Sequence, residues 1–198
     1  MKTIGLFYAM NAAKTSHIAE KIREDLGGVK VIEVVLIEKA WQNDFQAYDN
    51  MIVGASTWFD GELPTYWDEL VPELESLDLK GKKVAIFGLG DQKNYPDNFV
   101  DGMGILADAF QKAGAELVGF TSTDGYTFNQ SRAVRGEKFC GLVIDQENQA
   151  QLTSKRIADW CKLIKADVTS NMKEEYNCFA SHLFTVGAHL MRPNVYSK

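Results

Sequence analysis

The sequence holds little basic charge, few cysteines, few histidines and no long apolar run, and each shortage removes a class of function. Lysine and arginine number 21 against 27 acidic residues, a formal net charge of −6. Without a basic face, a non-specific grip on nucleic acid or on an anionic membrane is disfavoured. No apolar run is long enough to span a bilayer. The opening run MKTIGLFYAM lacks the charged and apolar blocks of a signal peptide and reads directly as a strand. The three cysteines, Cys140, Cys161 and Cys178, are scattered with no CxxC pair, so neither a disulfide framework nor a zinc site is indicated. A reduced, cytoplasmic protein without a metal is expected. Cys140 and Cys161 fall in apolar contexts and read as core residues. His17 reads as a solvated or capping residue of the first helix. Cys178, His182 and His189 can share a helical face, but that spacing arises easily by chance and supplies too few ligands for a tetrahedral set.

What is present is an ordinary globular balance, 45% hydrophobic and 24% charged residues in a chain of 198. That length fills one core and leaves something over. The acidic surface suits docking to basic partner proteins, mainly by raising encounter rates.

Strand and helix signals alternate almost from the start. Thr3–Tyr8, Val31–Leu36, Asn50–Ala55 and Lys83–Phe87 read as short buried strands, and Leu117–Phe120 begins a fifth. Thr15–Leu26, Thr65–Leu74, Phe99–Ala113 and Leu152–Ile164 carry helical spacing. Short buried strands punctuated by helices predict a mostly parallel sheet covered on both faces. Between Phe120 and Gly141 lies a polar, glycine-containing stretch, and apolar residues resume at Leu142, Val143 and Ile144. An excursion that returns to finish one edge strand is the economical reading. Beyond Ile164, Phe179, Leu183, Val186 and Leu190 recur at helical spacing, and Arg192-Pro193 ends that run. This predicts a C-terminal amphipathic helix that either packs on its own domain or docks a partner or a second copy.

In an open parallel sheet, ligands bind beyond the carboxyl ends of the strands where strand order reverses. Three loops qualify. The first, Ala9–Thr15, joins a strand to a helix start, where free N–H groups and the dipole favour an anion. Asn11, Thr15 and Ser16 can add hydrogen bonds and Lys14 adds charge, although the same residues can simply cap the helix. The second, Ser56–Leu63, carries Trp58 at a loop tip, where it offers a face to a planar ligand, and Gly61 permits an unusual turn. The third, Gly88–Asp101, combines glycines with Tyr95. Two aromatics beside an anion loop point to a planar, phosphate-bearing ligand.

The strings TWFDGEL and GLGDQKNYPDNF, followed by STDGYTF…AVR…KFCGLVID, resemble the signature runs of long-chain flavodoxins across roughly Thr3 to Lys165. GELP and GLGDQ-x-x-YPDNF resemble especially the flavodoxins associated with nitrogen fixation. The resemblance implies a flavodoxin-like doubly wound five-stranded parallel sheet, order 2-1-3-4-5, in three α/β/α layers; flavodoxin is itself the standing example of that order, with FMN at the switch point. It implies a domain over 1–167 and a C-terminal extension over 168–198. It implies a low-potential one-electron carrier using non-covalent FMN, not an enzyme, that passes electrons from a reductase to an acceptor of which nitrogenase is one example.

By the same resemblance the phosphate would meet Met10, Asn11, Ala12, Ala13, Lys14 and Thr15. The ring would stack between Trp58 and Tyr95 and contact backbone of Ser56, Thr57, Phe59, Asp60, Gly61, Leu89, Gly90, Asp91 and Gln92. The peptide joining Phe59 to Asp60 matches the one that reorients toward the reduced flavin N5. Asn98 and Asp145–Glu147 lie where the family places contacts near the ribityl chain or ring edge. Carboxylates at Asp60, Glu62, Asp91, Asp97 and Asp101 would oppose added negative charge on the ring and lower its potential.

The phosphate loop departs from the pattern. The family's usual run is Thr-x-Thr-Gly-x-Thr, and here Met10-Asn11-Ala12-Ala13-Lys14-Thr15 lacks two hydroxyls and the glycine. Lys14-Thr15 matches the Lys-Thr of some nitrogen-fixation flavodoxins. Ala13 is expected to resist a glycine-only backbone conformation. Each lost hydroxyl bond to phosphate costs about 1.5–3 kcal/mol, which predicts FMN binding weaker by roughly 10²–10⁴-fold. Two alternatives to the carrier stay open: a flavodoxin-derived interaction module with weak or no FMN binding, and an NAD(P)H-dependent flavin or quinone reductase.

Overall fold

The computed structural model describes residues 4–10 and 12–168. Five parallel strand positions form its centre. They are β1 (Ile4–Tyr8), β2 (Ile32–Leu36), β3 (Asn50–Ser56), β4 (Lys83–Leu89) and an edge position shared by β5 (Glu116–Val118) and a later strand. The order is β2-β1-β3-β4-β5, as the resemblance implies. β1, β3 and β4 are buried almost throughout, as apolar strands covered on both faces must be.

The edge is divided as expected. β5 pairs with Lys83–Ala85 of β4, and the chain then leaves the sheet. It runs through β6 (Thr121–Ser122), β7 (Val134–Arg135) and β8 (Lys138–Phe139), a small antiparallel sheet. It returns as β9 (Gly141–Ile144), which pairs with Ile86–Leu89 of the same strand β4. Gly141 is required there, because a Cβ would lie 1.9 Å from the Ile86 carbonyl oxygen. Tyr126, Phe128 and Phe139 of the excursion form an aromatic cluster with Phe99 of the loop after β4. The Tyr126 hydroxyl donates to the Val143 carbonyl at 2.6 Å, which ties the excursion to β9.

Helix α1 (Ala13–Asp25) buries Ile18, Ala19 and Ile22, and the helix over 153–168 buries Ile157, Trp160, Cys161 and Ile164 in the same cluster. α3 (Thr65–Glu75) and α4 (Asp101–Lys112) contribute Trp67, Leu74, Leu106 and Phe110 to the cluster on the opposite face. Two apolar layers thus sandwich the sheet. Sequence periodicity misses α2 (Gln42–Ala47), because six residues hold less than two turns and Phe45 is its one buried side chain. Its start is fixed locally: the Trp41 N–H donates to the Asp44 carboxylate at 2.8 Å. A four-residue turn, α5 (Gln146–Gln149), follows β9.

Cys140 and Cys161 are buried, and burial pushes their thiols up to about 11 and about 12. His17 lies exposed on α1. The chain divides after Val168. The expected amphipathic helix, together with Cys178, His182 and His189, lies outside the described residues. Among the described residues no helix is long and apolar enough to cross a membrane.

Candidate functional site

A cleft of about 550 Å³ opens at the carboxyl ends of β1, β3, β4 and β9. β1 and β3 are adjacent while β2 lies outside β1, so strand order reverses there and parallel-sheet topology predicts a ligand. Three loops and the start of α5 wall it.

The first wall is the turn from β1 into α1. Ala12, Ala13, Lys14 and Thr15 line the cleft. Among the described residues no side chain caps the first-turn N–H groups, the N-cap being Ala12, and such groups favour an anion. The Thr15 side chain is 1% exposed and its hydroxyl has no hydrogen-bond partner. A buried hydroxyl without a partner is costly unless something supplies one. Ser16, by contrast, spends its hydroxyl on the loop itself, within reach of the carbonyls of Ala9, Met10 and Ala12. Met10 is exposed and outside the lining, and Asn11 lies outside the described residues. Ala13 corrects one expectation: it is the first residue of α1, and only Phe59 and Val100 among the described non-glycine residues have positive φ. No glycine-only conformation is demanded of it.

The second wall follows β3. Ser56, Thr57 and Trp58 line the cleft. The Ser56 hydroxyl is also buried without a partner. The Thr57 hydroxyl accepts the Gly102 N–H at 3.1 Å and its N–H donates to the Leu89 carbonyl at 3.2 Å, so this loop is fastened to α4 and to the end of β4. Trp58 to Glu62 forms a closed turn with mutual backbone bonds of 2.8 Å. Within it Phe59 has φ 44° and Gly61 φ 99°. A left-handed phenylalanine is strained, and it carries the Phe59–Asp60 peptide singled out in the sequence. Phe59, Asp60 and Gly61 are outside the lining; Phe59 and Asp60 are exposed and Gly61 is buried. Gly61 is held to glycine by space as well as φ, since a Cβ would approach Asp101 Oδ2 to 3.0 Å.

The third wall follows β4. Leu89, Gly90, Asp91, Asn94 and Tyr95 line the cleft. Asp91 organises it, accepting the N–H groups of Lys93 and Asn94 at 3.1 Å, the Asn94 amide at 2.6 Å and the Asn148 amide at 2.8 Å. Burial acts to raise the Asp91 pKa, but those donors outweigh it and hold the carboxyl below its ordinary value. Trp58 is 42% exposed and Tyr95 50%, two large rings left half-open at one cleft.

Asp145 is placed differently from its expected role. It is fully buried, and its oxygens accept from Gln92 Nε2 at 2.7 Å, the Gln92 N–H at 3.2 Å and Asn148. Gln92 in turn accepts the Thr127 N–H at 2.6 Å. Asp145 therefore braces the third wall, α5 and the excursion, while Gln146 and Glu147 beside it reach the cleft. Asn98 is also outside the lining and packs under Gly61. Asp101 is another brace: 8% exposed, it accepts the Arg132 N–H at 2.7 Å, and burial raises its pKa despite that bond. It is not one of a ring of surface carboxylates. Asn94 and Ile144 are lining residues that sequence reasoning missed; the Asp91-x-x-Asn94 spacing of an Asx turn was the available signal for the first.

The sequence profile of the family described as Flavodoxin matches residues 6–160. The chain belongs to the flavodoxin family. A flavodoxin of Synechococcus elongatus is 43% identical over 84% of this chain and 98% of its own length. A flavodoxin of Klebsiella pneumoniae is 42% identical, over 85% and 99%. The solved structure of a Fusobacterium nucleatum flavodoxin bound to flavin mononucleotide superposes with a TM-score of 0.79 at 36% identity, over 85% of this chain and 99% of that one. Flavodoxins are electron-transfer flavoproteins rather than enzymes in the ordinary sense. The residues of this member suit such a cofactor. An uncapped helix start with an unpartnered hydroxyl fits a phosphate, and the Trp58 and Tyr95 rings fit the faces of a tricyclic ring.

Proposed function

We propose that this flavodoxin binds FMN non-covalently in the switch-point cleft and carries single electrons at low potential between larger redox proteins. One observation supports the reading above others. A single cleft holds a buried, unpartnered Thr15 hydroxyl at the start of α1 and two half-exposed aromatic rings on the adjacent loops. Those are the two ends of a planar, phosphate-bearing ligand.

Bound FMN supplies the one-electron chemistry. The chain supplies position and electrostatics. Thr15 and the first-turn N–H groups of α1 hold the phosphate end, and Ser56 meets the ring from the end of β3. Trp58 and Tyr95 cover the ring and exclude water from it. The strained turn at Phe59–Gly61 offers a backbone group that can change its orientation beside the ring. Asp91, kept ionised by its four donors, opposes added negative charge nearby. The flavodoxin unit ends at 167, and 168–198 is an extension that docks a partner or a second copy. The partners are a reductase as donor and a redox protein as acceptor, nitrogenase-type acceptors among them, met in the cytoplasm; the net charge of −6 favours basic faces on both.

The test is reconstitution with FMN, followed by NADPH-driven reduction of a one-electron acceptor protein through an added flavodoxin reductase. The expected result is acceptor reduction that requires both reductase and this chain. NAD(P)H oxidation by small quinones with no added reductase would transfer the reading to an enzyme.

A further inference from the structure

We infer that Lys14 and Glu147 form an exchangeable ion pair across the cleft mouth, in which Glu147 competes with the FMN phosphate for the Lys14 ammonium. The inference rests on the FMN reading above and concerns how this chain anchors that ligand with two fewer hydroxyls. Lys14 stands in the first turn of α1 and Glu147 in α5, and their side chains pair directly, Lys14 Nζ donating to Glu147 Oε1. Both side chains line the cleft and both are half-exposed or more. The partners lie 133 positions apart in sequence, so the contact bridges two walls rather than stabilising a helix.

Lys14 is one residue from the buried, unpartnered Thr15 hydroxyl. The neighbouring positions Met10, Ala12 and Ala13 offer no side-chain donor to an anion. Of the described side chains lining this wall, Lys14 alone carries a cation. A phosphate dianion seated at Thr15 and the α1 N–H groups is a stronger partner for the ammonium than a solvated, singly charged carboxylate. An exposed pair is weak and therefore cheap to exchange. Phosphate arrival would draw Lys14 away and leave Glu147 to solvent. Glu147 is then a liability to binding twice over: it must surrender the lysine, and it places a negative charge at the same mouth. The pair keeps the cation from roaming in the empty protein and makes loading of a phosphorylated flavin salt-sensitive.

The experiment is equilibrium titration of the apoprotein with FMN and with riboflavin, at low and high NaCl, for the wild type, Lys14→Met and Glu147→Gln. Riboflavin has the same ring and no phosphate. Lys14→Met is expected to weaken FMN roughly ten- to a hundredfold and to leave riboflavin within about twofold. Glu147→Gln is expected to strengthen FMN by about two- to fivefold, with the gain disappearing at high salt. Equal shifts for both flavins, no shift in Lys14→Met, or weaker FMN binding in Glu147→Gln would overturn the inference while FMN binding itself stood. Failure of wild-type protein to bind either flavin would overturn the proposed function and this inference together.

Discussion

The two ends of the cleft are built on opposite principles. At the ring end, the loops after β3 and β4 are fastened to each other and to the excursion by Thr57, Asp91, Gln92, Asp101 and Asp145, and these side chains have their partners within the protein. At the end proposed for the phosphate, Thr15 is buried with none and the Ala12 N-cap offers no side-chain cap to α1, while at the end of β3 the Ser56 hydroxyl is likewise buried without a partner. The ring end is preorganised by the chain and needs no ligand to complete its bonds. On the proposed reading, an anion completes the phosphate end. A protein can thus lose hydroxyls at one end while the other remains intact, because the two ends depend on different partners.

Disrupting the preorganised end carries the largest expected effect. Asp145→Ala removes the acceptor of Gln92 and Asn148 from a fully buried position, and it should cost about 3 kcal/mol of stability. Urea unfolding of the apoprotein reads that directly. Trp58→Ala should do the reverse: a side chain 42% exposed contributes little to the fold, while losing one face of the ring site should weaken FMN by roughly thirtyfold, about 2 kcal/mol. An apoprotein destabilised as much as in Asp145→Ala would remove Trp58 from the ligand role.

Thr15→Val sharpens the contrast at the other end. Removing a buried hydroxyl that has no partner should raise apoprotein stability by about 1 kcal/mol and lower FMN affinity about tenfold. Opposite signs in one variant are the signature of a group placed for a ligand. Losses in both measurements would show that the hydroxyl already serves the fold.

Much of this was legible in the sequence. The alternation of buried strands and helices announced the doubly wound sheet, and the break between Phe120 and Leu142 announced the divided edge, since apolar residues on either side belong to one strand position. Trp58 and Tyr95 could be read as ligand faces because a large ring at a loop tip has no core to enter. The rest depended on three dimensions. Asp145 and Asp101 look like surface carboxylates in a string of polar residues; only the fold shows that each is enclosed by donors from a distant segment. Ala13 looked like a misfit for a glycine, yet the helix begins at that residue and asks nothing unusual of it. Lys14 and Glu147 lie too far apart in sequence for their pairing to be foreseen.

The smallest expected effect is on pH. The Asp91 pKa is below its unfolded value, so the folded state binds fewer protons in the window between the two. Its contribution to stability is present above the ordinary carboxylate range and is lost as pH falls through the folded value. Asp101, raised by burial, runs the other way, favouring the fold as it becomes protonated. Asp91→Asn should therefore flatten the acid side of the stability profile, and denaturant midpoints measured across acidic pH would show it. An unchanged profile would mean that its four donors are not held in solution.

The most direct test of the account is the visible absorption spectrum of gently purified protein, followed by FMN titration of the stripped chain. Flavin bands, or stoichiometric uptake of FMN with quenching of its fluorescence, is the predicted result. A colourless protein that takes up no added FMN would contradict it and move the function of this flavodoxin to its surfaces.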